Sequence, residues 1–300
     1  MIPFVPMPPF EYGRVDAVSP LIQRVIANNP GPFTFSGTGT YIVGRPDAGA
    51  GVAVIDPGPL DESHLAALLK AVAGRRVTHV LVTHTHRDHA PLALPFAEAV
   101  GASILAASPP ARTIHASAAL DEDDDETFAP DVILTGGEVI EGDGWSIQAM
   151  ATPGHASNHM AFVLREENAL FSGDHVMGWS TTVVAPPDGD MTAYMKSLDE
   201  VIDRGFATLW PTHGAPVTEP AAFLAAYKAH RLAREAQIVE RLAEGDRRIS
   251  DIVPNLYAAV DSRLWPAASL SVWAHLIALE DAGRVKARPG PAIDADWALS

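Results

Sequence analysis

The sequence predicts an α/β protein in which two sheets pack face to face with helices outside, followed by a helical carboxyl-terminal segment. Three observations predict this. Short runs rich in β-branched residues precede and follow each helical stripe through both halves of the chain, a pattern suited to sheet layers covered by helices. From Glu219 the texture changes to long helical stretches without strands. Three hundred residues also exceed one typical domain. The division is placed between residues 1–230, which hold the chemistry, and residues 231–300.

The opening ten residues read as a proline-rich arm without the basic and long apolar regions of a signal peptide, which points to the cytoplasm. Residues 29–43 run from an Asn-Pro-Gly turn into a strand, and residues 51–58 form the next, ending at Asp56-Pro57-Gly58. Asp61 to Ala73 is an amphipathic helix: Leu65, Leu68, Leu69 and Val72 make the stripe and Asp61 caps it. Val77 to Val82 is a buried strand, and Leu92, Phe96 and Val100 mark a helix after it. Ser103 to Ala106 is a short strand. The acidic run 121–126 lacks the spaced ligands and central glycine of a calcium loop and reads as a solvated loop. Residues 131–134, 138–140, 146–150 and 160–164 are strands between glycine-containing turns, and Met191 to Arg204 is a helix. Helices over 221–244, 249–260 and 266–282, then a basic hairpin from Arg284, look like a winged-helix module. Residues 235–300 carry 10 acidic and 7 basic side chains, so a packing or lid role is expected there.

The chemistry gathers in Thr83-His84-Thr85-His86-Arg87-Asp88-His89, where four potential metal ligands fall within six positions directly after a strand. On extended backbone His84 and His86 project to one side, while Asp88 and His89 can face a second position. A lone histidine in a turn is usually a polar surface residue. Three with an aspartate in one loop form a ligand set that suits zinc, iron or manganese. Further donors stand at the ends of other apolar runs: His155 after Pro153-Gly154, Asp174 after Ala169 to Gly173, and His213 after Thr208 to Thr212. With no cysteine in the chain, ligation is by nitrogen and oxygen alone, and disulfides and cysteine nucleophiles are excluded.

His-x-His-x-Asp-His with these downstream donors resembles the metallo-β-lactamase superfamily. The resemblance implies an αββα sandwich and two divalent ions, zinc by default. One ion would take His84, His86, His155 and a bridging Asp174; the other would take Asp88, His89, His213 and the same bridge. Asp56 either caps its turn or lies beneath the metals and orients the histidine loop; the resemblance favours the second. His159 and His175 are not counted as ligands. His175 is expected to point away from Asp174 as a hydrogen-bonded structural residue. His64, His79, His115, His230 and His275 lack ligand context. Residues 29–44, 152–160 and 173–183 are similar to a narrower branch with a carboxyl-terminal winged helix, which includes a mitochondrial single-strand endoribonuclease and fungal thioesterases acting on carrier-bound polyketides.

The resemblance therefore implies a hydrolase that uses a metal-bound hydroxide, with Asp88 also holding or relaying the nucleophile's proton. A net charge of −16 disfavours a nucleic-acid partner, and no run approaches the about 20 apolar residues of a membrane span. Met177 stands where lactonases of this fold carry a tyrosine, and neither a flavin domain nor a glutathione-type basic pocket is evident. An acyl ester or thioester is favoured as the substrate, since Phe33, Phe35, Met177 and Trp179 can line an apolar tunnel. The alternative is single-stranded RNA, for which Arg87, Arg112 and Arg165 are the arginines near the motifs. A third reading, from another class, is a winged-helix DNA-binding regulator. Association of like chains is left open.

Overall fold

The β-branched runs pair into two sheets. The computed structural model describes residues 1–110, 125 and 127–300. Arg112, His115 and most of the acidic run lie outside them. The first sheet has seven strands in sequential order: β1 (Val15–Ala17), β2 (Ile22–Ile26), β3 (Gly39–Val43), β4 (Gly51–Ile55), β5 (Arg76–Leu81), β6 (Ser103–Ala106) and β7 (Val132–Ile133). Strands β1 to β4 are antiparallel, and β4 to β7 run parallel through crossovers that carry helices α1 (Glu62–Ala71) and α2 (Ala93–Val100). The second sheet contains β8 (Val139–Gly142), β9 (Trp145–Ala151), β10 (Met160–Leu164), β11 (Ala169–Gly173) and β12 (Thr208–Pro211). Strands β8 to β11 are antiparallel, and the β11–α3–β12 crossover, with α3 at Met191–Arg204, makes the last pair parallel.

Side-chain alternation builds the layers. Tyr41, Ala53, Ile55 and Leu81 of the first sheet meet Trp145, Ile147, Phe162 and Phe171 of the second in one buried cluster. The opposite faces bury Ile42, Val52, Val54 and Val80 under Leu68 and Phe96 of α1 and α2. Ala161, Val163, Leu170 and Leu209 lie under Tyr194, Leu198 and Phe223. This is the expected αββα sandwich. Asp61 caps α1 by accepting the His64 backbone N–H at 2.8 Å. The amino-terminal arm is not free: Val5 donates its N–H to the Gly178 carbonyl at 2.8 Å, and Phe4 meets Phe223 edge-on.

Helix α4 (Pro220–Ala243) spans residue 230 without a break. Its first half packs Phe223, Leu224 and Tyr227 on the sandwich. Its second half packs Ile238 and Leu242 into another cluster with α5 (Ile249–Leu256), α6 (Trp265–Asp281) and the hairpin β13 (Val285–Arg288) and β14 (Asp296–Leu299). Strands β1 and β2 are absent from the pattern read above. Pro20 interrupts their alternation, and Arg24 occupies a buried position in β2.

Candidate metal centre

All seven candidate side chains converge at the carboxyl ends of the strands, where loops leave both sheets together. His84, His86, Asp88 and His89 follow β5; His155 follows β9; Asp174 follows β11; His213 follows β12. Two glycines permit the approach. Gly154 has φ +140°, and a Cβ there would lie 2.3 Å from the Tyr194 Cα, so the turn before His155 sits directly on α3. Gly173 has φ +53°, and a Cβ would meet His159 Nε2 at 2.5 Å.

Three sets of donor atoms form, each within 4.8 Å: His84 with His86 and His155, His84 with His89 and Asp174, and Asp88 with His89 and His213. Asp174 lies between them, its carboxylate 3.7 Å from His89 Nε2, 3.5 Å from His213 Nε2 and 4.0 Å from His155 Nε2. Asp88 reaches His213 Nε2 at 3.0 Å and His89 Nε2 at 3.3 Å.

Hydrogen bonds behind the rings set which nitrogen faces inward. His155 Nδ1 donates to the Val183 carbonyl at 2.7 Å and His213 Nδ1 to the Gly37 carbonyl at 3.2 Å. His89 Nδ1 donates to Asp56 Oδ2 at 2.9 Å. The Thr83 hydroxyl gives its proton to the same Oδ2, so its oxygen accepts from His84 Nδ1 at 3.0 Å. These four rings therefore direct Nε2 at the centre. His86 is reversed: its Nδ1 stands 2.9 Å from His84 Nε2 and 3.2 Å from His155 Nε2.

The donors fit cations. Three imidazole nitrogens meet at short range, and burial first, then neighbouring rings, push His84 far below the usual range and His86 down to about 3, so both rings are neutral. Facing lone pairs repel unless a cation lies among them. Two buried atoms at the second set, His89 Nε2 and Asp174 Oδ1, have no hydrogen-bond partner among the described residues. Burial opposes a charge on His89, yet Asp88, Asp174 and Asp56 together raise its affinity for a proton well above normal. Burial likewise opposes ionisation of Asp88, and His89 and His213 override it and hold the carboxylate ionised. The arrangement calls for positive charge, which is what metal ions supply.

Asp56, fully buried, is the hub beneath the cluster. Besides the Thr83 hydroxyl and His89, it accepts from the Thr212 hydroxyl at 3.1 Å and the Thr83 N–H at 2.7 Å. Its φ of +48° is uncommon for a side-chain-bearing residue and is held by those four bonds. Thr83 and Thr212 escaped sequence reasoning, although a signal was present: the pair Thr-His closes both β5 and β12. Tyr41 and Arg24 were also missed. Tyr41 donates to the Pro211 carbonyl at 2.7 Å, and Arg24 Nη1 donates to the Gly214 carbonyl at 3.2 Å, bracketing His213.

His159 supports without joining: its Nε2 accepts the Asp174 N–H at 3.1 Å, and its Nδ1 meets Thr152 Oγ1 at 2.8 Å. His175 departs from expectation. Strand β11 ends at Gly173, so no alternation places this ring. Among the described residues neither of its nitrogens has a hydrogen-bond partner; it packs against Tyr194 with centroids 4.9 Å apart.

A cleft of about 310 Å³ opens over the cluster between His86, Asp88 and Asp174 on one side and Pro30, Pro32, Phe33 and Pro59 on the other. Among the described residues Arg87 is the arginine that lines it, and none of the lining residues is a lysine.

Residues 35–213 match the family model described as the metallo-beta-lactamase superfamily. The chain belongs to that superfamily. It is a hydrolase by family, and residues 249–297 match a beta-lactamase associated winged helix domain. It is 33% identical over 257 residues to an atrochrysone carboxyl ACP thioesterase of Aspergillus chevalieri, covering 82% of this chain and 76% of the relative. A beta-lactamase-like protein 2 homolog of Caenorhabditis elegans is 30% identical, covering 81% and 79%. Among solved structures, a beta-lactamase domain protein from Burkholderia ambifaria superposes with a TM-score of 0.78 at 20% identity, covering 99% of this chain and 96% of the other. A metallo-beta-lactamase family protein from Thermus thermophilus gives 0.74 at 22%, covering 95% and 100%. At those identities the structures speak to fold alone. Among the described residues, no helix is long and apolar enough to cross a membrane.

Proposed function

We propose that this superfamily member is a dinuclear metal-dependent hydrolase of acyl thioesters or esters. His84, His86 and His155 would hold one divalent ion and Asp88, His89 and His213 the other, with Asp174 between them and Asp56 orienting the loop from below. Zinc is the default for nitrogen and oxygen donors in this number; iron and manganese accept them as well. When bound, such ions acidify a water toward a pKa of about 7 and polarise the acyl oxygen.

The chain's own groups do the rest. Asp88 is the most exposed carboxylate of the cluster, at 17% against 9% for Asp174, and it fronts the cleft, where it takes the proton of the attacking water. Phe33 with Pro30 and Pro32 forms an apolar wall that seats the acyl chain and excludes water. A thiolate departs with a conjugate-acid pKa of about 8.5 and needs no proton donor, whereas an alkoxide does. The division we propose gives residues 1–230 the chemistry and residues 231–300 a packing role against the sandwich, where Ala274 joins its core.

The observation that carries this reading is the apolar wall beside the donor cluster. The thioesterase named among the relatives supports it. For RNA, Arg165 follows β10, whose other end donates its N–H to Thr83; five strand residues, roughly 16 Å, separate it from the site. In the winged-helix part, Arg284 pairs with Glu235 and Arg248 with Asp296, which weakens the DNA-binding alternative. A panel of acyl thioesters, acyl esters and single-stranded RNA tests the reading. Thioester turnover that is lost on chelation and restored by zinc is expected; RNA cleavage without thioester turnover reverses it.

A further inference from the structure

A second cavity, of about 220 Å³, lies where the winged-helix part meets the sandwich. Its floor is the 177–183 segment after Asp174, and its walls come from α4, the end of α5 and the start of α6. Pro32 and Phe33 line both this cavity and the cleft over the donor cluster, so the two spaces adjoin across these two side chains.

The charge in this cavity is out of character for the chain. Acidic residues outnumber basic ones by 37 to 21. Yet among the described residues the cavity is lined by Arg231 and Arg234 and by no carboxylate. Arg231 is only 4% exposed. Its Nη2 donates to the Thr182 carbonyl, its Cζ lies 5.0 Å from the Tyr194 ring centroid, and its Nε has no partner among the described residues. Arg234 Nη1 donates to the Leu256 carbonyl at 3.1 Å, its Cζ lies 4.1 Å from the Tyr257 ring centroid, and its Nε is likewise unpartnered among those residues. Among the described residues neither guanidinium makes an ion pair. Removing the Arg231 guanidinium from water without an anion to meet it is strongly unfavourable, and Arg234 beside it is half-buried. Backbone carbonyls and ring faces offset only part of that. Burial, and then these two arginines, push His230 down to about 4, so its ring adds no further charge near neutral pH.

Resting on the thioesterase reading, we propose that the cavity between the two parts of the chain binds an anionic group of the substrate, held by Arg231 and Arg234. The substrate class is then an acyl thioester with a negative group beyond Phe33 from the reacting carbon. That group is either a phosphate of the thiol arm or a carboxylate at the far end of the acyl chain. Phe33 and the aromatic faces of Trp179 and Tyr257 receive the apolar stem that joins the anion to the thioester. Arg231 also ties α4 to the segment carrying Thr182, so it is pre-positioned, while Arg234 is the arginine that can be altered without cutting that tie.

Binding tests this on the full-length, metal-loaded protein with three inert thioethers: S-butyl coenzyme A, with phosphates on the thiol side; S-carboxybutyl N-acetylcysteamine, with the carboxylate on the acyl side; and S-butyl N-acetylcysteamine, neutral. Calorimetry should show one of the two anionic probes binding about tenfold or more tightly than the neutral one. Arg234→Gln should erase that preference, and Arg234→Lys should restore part of it. The probe that responds identifies the side on which the anion lies. The proposal is overturned if neither anion is preferred, or if Arg234→Gln weakens all three probes equally, as a purely structural arginine would. Anion preference without hydrolysis of the matching thioesters leaves this site standing and removes the thioesterase reading. Hydrolysis without anion preference does the reverse.

Discussion

Asp56 grips Thr83 twice, Oδ1 accepting its backbone N–H at 2.7 Å and Oδ2 its hydroxyl at 2.8 Å, and so fixes the residue immediately before the first histidine of the cluster. Oδ2 also accepts from His89 and Thr212, which ties the loops after β5 and β12 to one carboxylate. Asn at this position keeps the shape but turns an acceptor into a donor facing two hydroxyls and an imidazole N–H. Asp56→Asn should lower activity or metal affinity by about 10- to 100-fold. Metal content after dialysis, measured beside the turnover rate, checks this; full metal occupancy with unaltered turnover would refute the hub role.

His86 is the one ring of the histidine set that presents Nδ1 inward. His86→Ala removes one of three converging nitrogens and should reduce turnover by on the order of 100-fold or more. Elemental analysis should show about one ion fewer per chain than in the parent. Retained activity in a chelator-treated sample would count against metal-dependent hydrolysis altogether.

Gly154 sits at φ +140° with the backbone of α3 where a side chain would begin. Gly154→Ala combines backbone strain with a clash that no rotamer relieves, and should cost roughly 2 to 4 kcal/mol. Urea denaturation measures it. An unchanged midpoint would mean that the turn before His155 moves freely against α3.

Acid should loosen the winged-helix part through His275, a 2%-exposed ring on α6. Burial first, then Arg231, Arg234 and His230 of α4, hold it down to about 3 against an ordinary 6.5. The folded state therefore resists protonation while the unfolded state accepts it. The stabilisation is complete above 6.5 and is lost as pH falls from there toward 3. By pH 5 the loss is about 2 kcal/mol. His275→Leu should flatten this part of the stability profile between pH 7 and 5. Parallel profiles for the two proteins would exclude His275 as the sensitive group.

Sequence alone determined the layers, most strand and helix spans, and the identity of the clustered donors. Those features are local: period-two and helical apolar spacing mark the elements, and the donors stand just past the ends of apolar runs, four of them after β5 and Asp174 after β11. Tertiary structure decided the rest. The partner that fixes a ring or a carboxylate comes from a distant element, as Thr212 does for Asp56 across 156 positions, and no spacing rule encodes it. The same is true of the nitrogen that His86 presents, of the Arg24 and Tyr41 bonds around His213, and of the two arginines that meet between the halves. Hydrogen-bond direction and burial belong to neighbours in space, and only folding assigns those neighbours.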